Sequence, residues 1–491
     1  MQPTEEQTAV VDASLDGEPL KVDARAGAGK TSTLGLVSTA KGRARGVYLA
    51  FNRLIAEEAK RKFPLSVRCG TVNSQAYRSV SADITRKLRN PLEPNYLLAE
   101  RFGLQPIKVP TTIGKNLELT SAKLGRMVRD GLARFCGSAK PTPLDWHIPV
   151  DPLITEQAAE ALRHALLPSV VKLWEESQNP RSPGAISHDV YVKLWQLSRP
   201  TIPADYILFD ESQDANGLML SVLRRQSAQV IYVGDPYQQI YEWRGAVNAM
   251  DHIKAQKRAL TLSFRFGEPI AALATRILRT MDEEVPVRGQ ASIASRIHKD
   301  ISPSELKVNA VLCRKNATVL SYVAEGLQRG EKVAIRANIR DIMAFLDGAD
   351  RLMCGQRTDY PTALSLFANW SEVQDYADSF AGRDLKPFVK LIDDQGIPYV
   401  RQLLSTVSPE SEADYVVSTI HQVKGLEYDS VRIAGDFRFK TDDDGMYTMD
   451  AEEKRLLYVA LTRAKRDLDV TAIQADMTRM LRDAGVLRGT P

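Results

Sequence analysis

Ala24-Arg25-Ala26-Gly27-Ala28-Gly29-Lys30-Thr31 is a stretch whose residue types and spacing suit phosphate chemistry. Glycines let backbone N–H groups turn onto phosphate oxygens, and a helix starting behind them adds partial positive charge. Lys30 is spaced to reach β- and γ-phosphates, and the Thr31 hydroxyl to ligate Mg²⁺. The strict pattern has Gly where this chain has Ala24, and a plain Gly-rich turn is the alternative use. A second group is Phe209-Asp210-Glu211, after an apolar run. Asp210 can hold Mg²⁺ directly or through water, and Glu211 can polarise an attacking water. By themselves these are two solvated loop acids. Downstream of a phosphate cradle they complete a site for nucleoside-triphosphate hydrolysis. Gln238, in Gly234-Asp235-Pro236-Tyr237-Gln238, adds an amide that can bridge the γ-phosphate or its water. Phosphoryl transfer also needs positive charge on the transition state, where an arginine contributes about 10³–10⁵ in rate. Arg265, in Ser263-Phe264-Arg265, and Arg463, in Leu461-Thr462-Arg463-Ala464, are the candidates. Either alone reads as a surface residue. If both meet the γ-phosphate, ATP is held between two halves of the chain, and its binding and hydrolysis close and open them.

These groups need strands and helices to hold them. The cradle lies between an apolar run over 20–24 and a helical run over 31–41. Strand-like runs follow at 47–51, 67–71, 206–209 and 230–233, with helices over 53–62 and from about Ser74. Such alternation predicts a parallel α/β sheet with ligands at the strand carboxyl ends. From 91 to 204 the pattern changes to recurring prolines and helical stretches such as 156–167, an inserted helical domain. A second alternating region starts near Arg258, with strands expected at 259–262, 310–313, 332–335, 415–418, 431–433 and 468–471. Helical, aromatic-containing sequence interrupts it from about 346 to 411.

Composition sets loose bounds. At 491 residues the chain is too long for one core, and about three domains is the length expectation. No apolar run is long enough to span a bilayer, and the first residues carry no basic-then-apolar signal, so the chain is expected to stay where it is made. Cys69, Cys136, Cys313 and Cys354 include no close pair, which argues against a zinc or iron–sulfur site and for a reducing compartment. A net charge of +4 neither requires nor excludes nucleic acid. Basic clusters at 60–62, 86–89 and 224–225 read as solvated helix faces. The Asp442-Asp443-Asp444-Gly445 turn lacks the rest of a calcium-loop pattern.

In this order the motifs resemble those of UvrD/Rep-type superfamily 1 helicases. Gln7 matches the adenine-reading Gln motif, and 24–31 matches motif I. Tyr48 to Asn52 matches motif Ia, Thr71 to Tyr77 resembles motif Ib, and Asp210 to Asp214 matches motif II. Gly234 to Ala246 is close to motif III, and Phe264-Arg265 matches motif IV. Thr419 to Tyr428 matches motif V, and Leu456 to Lys465 matches motif VI. Leu49-Ala50-Phe51-Asn52, 71–77 and Ala434-Gly435-Asp436-Phe437 lean toward the F-box DNA helicase branch. The Gln motif starts almost at residue 1 with no F-box region before it, so a compact bacterial or phage form is expected.

The resemblance implies an α/β chain of two RecA-like P-loop motor domains. Residues 1–90 with 205–257 form domain 1A, and 91–204 a helical insertion, 1B. Residues 258–346 with 413–491 form domain 2A, and 347–412 a reduced 2B-like insertion. It implies ATP and Mg²⁺ as cofactors. Gln7, Ala26, Gly27, Ala28, Gly29, Lys30, Thr31, Ser32, Phe264, Arg265, Glu427 and Arg463 bind the nucleotide, and Thr31 and Asp210 the metal. Lys30, Asp210, Glu211, Gln238, Arg265 and Arg463 carry catalysis. Phe264 stacks on adenine and Glu427 contacts ribose. Phe51, Asn52, Thr71, Asn73, Tyr241, Trp243, Arg244 and His421 line a single-stranded DNA path. Aromatic faces accept any base, at about 1–3 kcal/mol per stacked base. For Tyr241 and Trp243, core packing is the alternative. Two residues depart from the family pattern. Arg25 stands where Gly is common and either crowds the cradle or adds a cation. Asn73 replaces the usual His of motif Ib.

The implied activity is ATP-dependent 3′–5′ DNA unwinding in replication, repair or recombination, on single strands and their junctions with duplex. A monomeric motor is expected, cytoplasmic, or nuclear if the source is eukaryotic. Protein displacement without processive unwinding, an RNA motor, and a nucleotide-gated binding module without catalysis are the alternatives.

Overall fold

Strands buried on both faces by flanking helices read as unbroken apolar runs, and that is the character of Gly46–Ala50, Tyr206–Phe209 and Ala310–Cys313 here. The computed structural model describes residues 2–50, 52–112, 114, 116–240, 249–359, 361, 364–365, 367–378 and 385–487. The chain divides into two units. The first comprises the residues up to Ala24 with Gly29–Leu260, and the second Arg25–Ala28 with the chain from Thr261 onward.

In the first unit the strands are β1 (Leu20–Ala24), β2 (Gly46–Ala50), β3 (Val67–Thr71), a small hairpin β4 (Ile107–Pro110) and β5 (Asn116–Leu119), β6 (Tyr206–Phe209), β7 (Gln229–Gly234) and β8 (Gln256–Leu260). Six of them form a parallel sheet in the order β3-β2-β6-β7-β1-β8. Its register brings functional ends together: Asp23 pairs with Gly234, and Phe209 with Tyr232. Thus β1, β6 and β7 deliver the phosphate loop, Asp210 and Asp235 to one edge of the sheet, where open α/β sheets bind ligands.

The expected start of the second half at 258 is corrected. Gln256–Leu260 pairs along the whole of β1, from Leu20 with Gln256 to Ala24 with Leu260, and closes the first sheet. Its Gln-Lys-Arg start resembles a loop because an edge strand tolerates polar, exposed positions. In the 91–204 segment, Leu124, Val128 and Leu132 line one face of the helix Ser121–Gly137. Leu162, Leu166, Val170 and Trp174 line one face of Glu156–Gln178. Phe135 and Trp174 meet edge to face at 5.1 Å. The second helix runs well beyond the expected 167, through Pro168.

The second unit holds β9 (Arg296–His298), β10 (Ala310–Cys313), β11 (Val333–Arg336), β12 (Tyr415–Thr419), β13 (Tyr428–Ile433), a short antiparallel pair β14 (Lys440–Thr441) and β15 (Tyr447–Thr448), and β16 (Ala464–Asp469). Its six-stranded parallel sheet has the order β11-β12-β10-β13-β16-β9. The last strand starts directly after Arg463, earlier than the expected 468–471. The β13–β16 register shifts between Tyr428 and Ser430, beside Glu427.

The 347–412 segment is helical: Ile339–Met353, Trp370–Asp378, Lys386–Gln395 and Ile397–Thr406. It shares its core with the rest of the unit. Leu352, Val373 and Val400 cluster with Ala317 and Leu320 of the helix Asn316–Gln328. Leu403 packs with Val311, Val319 and Val417.

Candidate nucleotide site

The helix Lys30–Ala40 begins at Gly29, whose φ is 73° and which supplies no side-chain cap. Its first N–H groups are therefore left without a capping side chain, as an anion site requires. Lys30 Nζ donates to Glu211 Oε2 at 2.7 Å, and Thr31 Oγ1 to Asp210 Oδ2 at 3.1 Å. The Tyr48 hydroxyl donates to the same Asp210 oxygen at 2.8 Å, and the Glu211 N–H to Asp210 Oδ1 at 2.9 Å. Glu211 sits in the left-handed region, φ 52°, right after the strand end. Burial and the adjacent Glu211 charge hold the Asp210 carboxyl above the ordinary carboxylate range, despite Lys30 and Tyr48. Burial pulls the Lys30 ammonium down, but Glu211 and Asp210 together outweigh it and its pKa is raised. A hydroxyl beside a buried carboxylate with this charge imbalance fits Mg²⁺, a hard cation that takes oxygen ligands.

A hydrogen-bonded chain continues from Glu211. Gln213 Nε2 donates to Glu211 Oε2 at 2.6 Å, while Gln213 Oε1 accepts from the Asp235 N–H at 3.0 Å. Gln238 Nε2 donates to Asp235 Oδ2 at 2.7 Å. A Cβ on Gly234 would lie 2.4 Å from Gln213 Oε1, so only glycine lets the two strand ends approach. Tyr48, Gln213 and Asp235 were not expected as site residues. Tyr48 and Gln213 lie in motifs quoted above, but their hydrogen bonds depend on which strands are neighbours. Gln7 is held at both ends of its amide, its Oε1 accepting from the Thr4 N–H at 3.0 Å and its Nε2 donating to Thr33 Oγ1 at 3.1 Å. Ser32 is exposed in the first turn of the helix.

Within the second unit, Arg25 is almost fully buried. It forms an ion pair with Glu283 at 2.7 Å and donates to the Val285 carbonyl at 2.9 Å. The Ala26 N–H donates to the Tyr458 hydroxyl at 3.2 Å, and the Gly27 carbonyl accepts from the Phe264 N–H at 2.8 Å. Ala28 N–H closes the loop onto the Arg25 carbonyl at 3.0 Å. Arg265 pairs with Glu427 at 2.7 Å and donates to the Thr462 carbonyl at 2.9 Å. The Arg463 guanidinium is buried and donates to the Val459 and Leu426 carbonyls at 2.9 and 3.1 Å.

Of the residues expected on a DNA path, Phe51, Tyr241, Trp243 and Arg244 lie outside the described residues. Asn52 and Thr71 are helix N-caps: Asn52 Oδ1 accepts from the Ile55 N–H at 3.0 Å, and Thr71 Oγ1 from the Ser74 N–H at 3.1 Å. Asn73 lines a narrow crevice with Asp210, Glu211 and Asp214. His421 sits on the 3₁₀ turn Ile420–Val423 that follows β12. No helix among the described residues is long and apolar enough to cross a membrane.

Two parallel sheets, the first with a phosphate loop and a carboxylate pair at its carboxyl edge, define a chain of two RecA-like domains with a P-loop. Comparison with known proteins narrows this class. The UvrD/REP helicase N-terminal domain family matches residues 197–257, and the UvrD-like helicase C-terminal domain family residues 366–475. F-box DNA helicase protein 1 of Schizosaccharomyces pombe is 29% identical over 98% of this chain and 59% of its own length. F-box DNA helicase 1 of Gallus gallus is 29% identical over 95% of this chain and 48% of its own. A probable DNA helicase II homologue of Mycoplasma genitalium is 25% identical over 55% of this chain and 54% of its own. The chain is similar to the UvrD/Rep superfamily 1 helicases, and it spans about half the length of the F-box relatives it matches.

Proposed function

We propose that this chain is an ATP- and Mg²⁺-dependent DNA motor that moves 3′ to 5′ along a single strand and separates duplex ahead of it. One observation carries the reading. A cradle lysine, a carboxylate able to act as base, and a hydroxyl–carboxylate pair form one hydrogen-bonded group at 2.7–3.1 Å. Lys30 is engaged by Glu211, and a γ-phosphate competes for the same ammonium. Exchange of Lys30 onto phosphate frees Glu211 to orient the attacking water. Thr31 and Asp210 would hold Mg²⁺, which would supply charge neutralisation for the transferred phosphoryl. Gln238, fixed by Asp235, reports the γ-phosphate to the rest of the first unit. By family resemblance, Phe264 stacks on adenine, Glu427 contacts ribose, and Arg265 and Arg463 act on the γ-phosphate. Arg265 and Arg463 must leave their present carboxylate and carbonyl partners to do so.

Protein displacement without processive unwinding is a second reading. It is favoured by the 339–406 helices sharing the second unit's core instead of forming a separate domain. Phosphate release is measured with single-stranded DNA, beside unwinding of duplexes carrying a 3′ or a 5′ tail and removal of a bound protein block. Lys30→Ala and Glu211→Gln are expected to abolish DNA-stimulated turnover, and wild-type protein to open the 3′-tailed substrate. Turnover at wild-type rate in either variant contradicts the catalytic assignment. Opening of only the 5′-tailed substrate contradicts the polarity. Block removal without unwinding selects the second reading.

A further inference from the structure

We infer that Arg25 is a positioning residue, whose guanidinium fixes the first turn of the phosphate loop against the elements that carry Arg265 and Arg463. The inference rests on the hydrolysis reading above. In the second unit Arg25 is only 2% exposed and lies 2.7 Å from Glu283 Oε2. It donates to the Val285 carbonyl at 2.9 Å, while the Val285 N–H donates to Glu283 Oε1 at 2.8 Å. Arg25 and the 283–285 turn are therefore locked together. That turn follows the helix Glu268–Arg279, which begins just after Arg265. Thr280, at the C-terminal end of this helix, accepts through its carbonyl from Lys454 Nζ at 2.9 Å. Lys454 lies on the helix Ala451–Leu461, which ends just before Arg463. The next two loop residues reach the same elements, Ala26 through the Tyr458 hydroxyl at 3.2 Å and Gly27 through the Phe264 N–H at 2.8 Å.

A buried arginine is costly unless it is paired, and here Glu283 and the Val285 carbonyl both engage Nη2 of the guanidinium. What it secures is the path of a backbone whose N–H groups must meet phosphate oxygens. Misplacement by about 1 Å costs on the order of 10²-fold in rate. Loss of the anchor leaves the loop able to bind phosphate but unable to hold it in line, so the loss falls on kcat more than on KM.

The test measures ATP hydrolysis by the full chain with single-stranded DNA, alongside thermal melting by circular dichroism. Wild type is compared with R25A, R25K, E283Q and the charge-reversed double variant R25E/E283R. R25A is expected to lower kcat about 10–100-fold with a smaller change in KM. R25K restores part of the loss and the reversed pair most of it. A lower melting temperature with wild-type kcat and KM overturns the inference, because a merely structural arginine behaves that way. If R25A does not fold, E283Q and the reversed pair decide. A smaller fall in kcat for E283Q, with recovery in the reversed pair, supports the inference, and wild-type kinetics for E283Q overturn it. Failure of the wild-type chain to hydrolyse ATP sinks the hydrolysis reading itself, whereas equal turnover by wild type and R25A sinks only this inference.

Discussion

Asp210 is held where its charge is least welcome, and the consequence is measurable. Burial and the neighbouring Glu211 raise its pKa above the ordinary carboxylate value. A carboxyl with a raised folded pKa keeps its proton more readily folded than unfolded. Stability therefore falls as pH rises from the unfolded to the folded pKa, and stays lowered above it. Lys30 works in the opposite sense, but its raised pKa lies far above neutrality and its contribution is fully present there. Asp210→Asn is thus expected to raise the melting temperature at neutral pH. The gain should shrink as pH drops toward the ordinary carboxylate range. The same variant is expected to lose Mg²⁺-dependent ATP hydrolysis, a trade of stability for function. Melting curves at several pH values check the first part and phosphate release the second. A melting temperature lowered at neutral pH would falsify this electrostatic account of the site.

At the scale of elements, Asn52 and Thr71 do two jobs in this reading, and substitution can separate them. Asn52 caps the helix Arg53–Lys62 through its side-chain oxygen. Aspartate caps as well as asparagine, while alanine costs about 0.5–2 kcal/mol. Asn52→Asp is expected to keep the melting temperature yet weaken single-stranded DNA binding, because it sets a negative charge beside phosphates. Anisotropy of a labelled oligonucleotide at two salt concentrations measures this, and unchanged affinity removes Asn52 from the DNA path. Elements of this kind differ in how well sequence reveals them. Strands such as Tyr206–Phe209 and Ala310–Cys313 are plain in sequence because burial on both faces demands unbroken apolar runs. The sequence boundary at 258 cuts through the strand Gln256–Leu260, since a polar edge strand does not declare its neighbour. The edge strand Arg296–His298 is too short to give any periodic signal. The site divides in the same way. Lys30, Thr31, Asp210 and Glu211 are readable because phosphate chemistry fixes their types and spacing. The Tyr48 hydroxyl on Asp210 and the Arg25–Glu283 pair depend on contacts between residues far apart in the chain.

For the molecule as a whole, the question is whether residues 347–412 are a removable module. Their length suggests a trimmed version of a separate domain, but their packing argues otherwise. Leu352, Val373 and Val400 are almost fully buried in one cluster with Leu320. Leu403 lies among Val311, Val319 and Val417, against the second sheet. Exposing one such side chain costs about 1.5–3 kcal/mol. Total stabilities are about 5–15 kcal/mol, so uncovering four or five of them exhausts the margin. Replacing 347–412 with a short Gly-Ser linker is therefore expected to destroy cooperative folding of the second unit and, with it, DNA-stimulated ATP hydrolysis. Leu352→Ala in the full chain is the milder form, expected to destabilise by about 2–5 kcal/mol while leaving the folded chain able to hydrolyse ATP. Soluble yield, melting cooperativity and phosphate release distinguish the outcomes. A deletion variant that stays soluble, melts in one sharp transition and hydrolyses ATP would show that the segment is an appendage, whereas its collapse beside an active Leu352→Ala variant identifies the helices as one wall of the second unit's core.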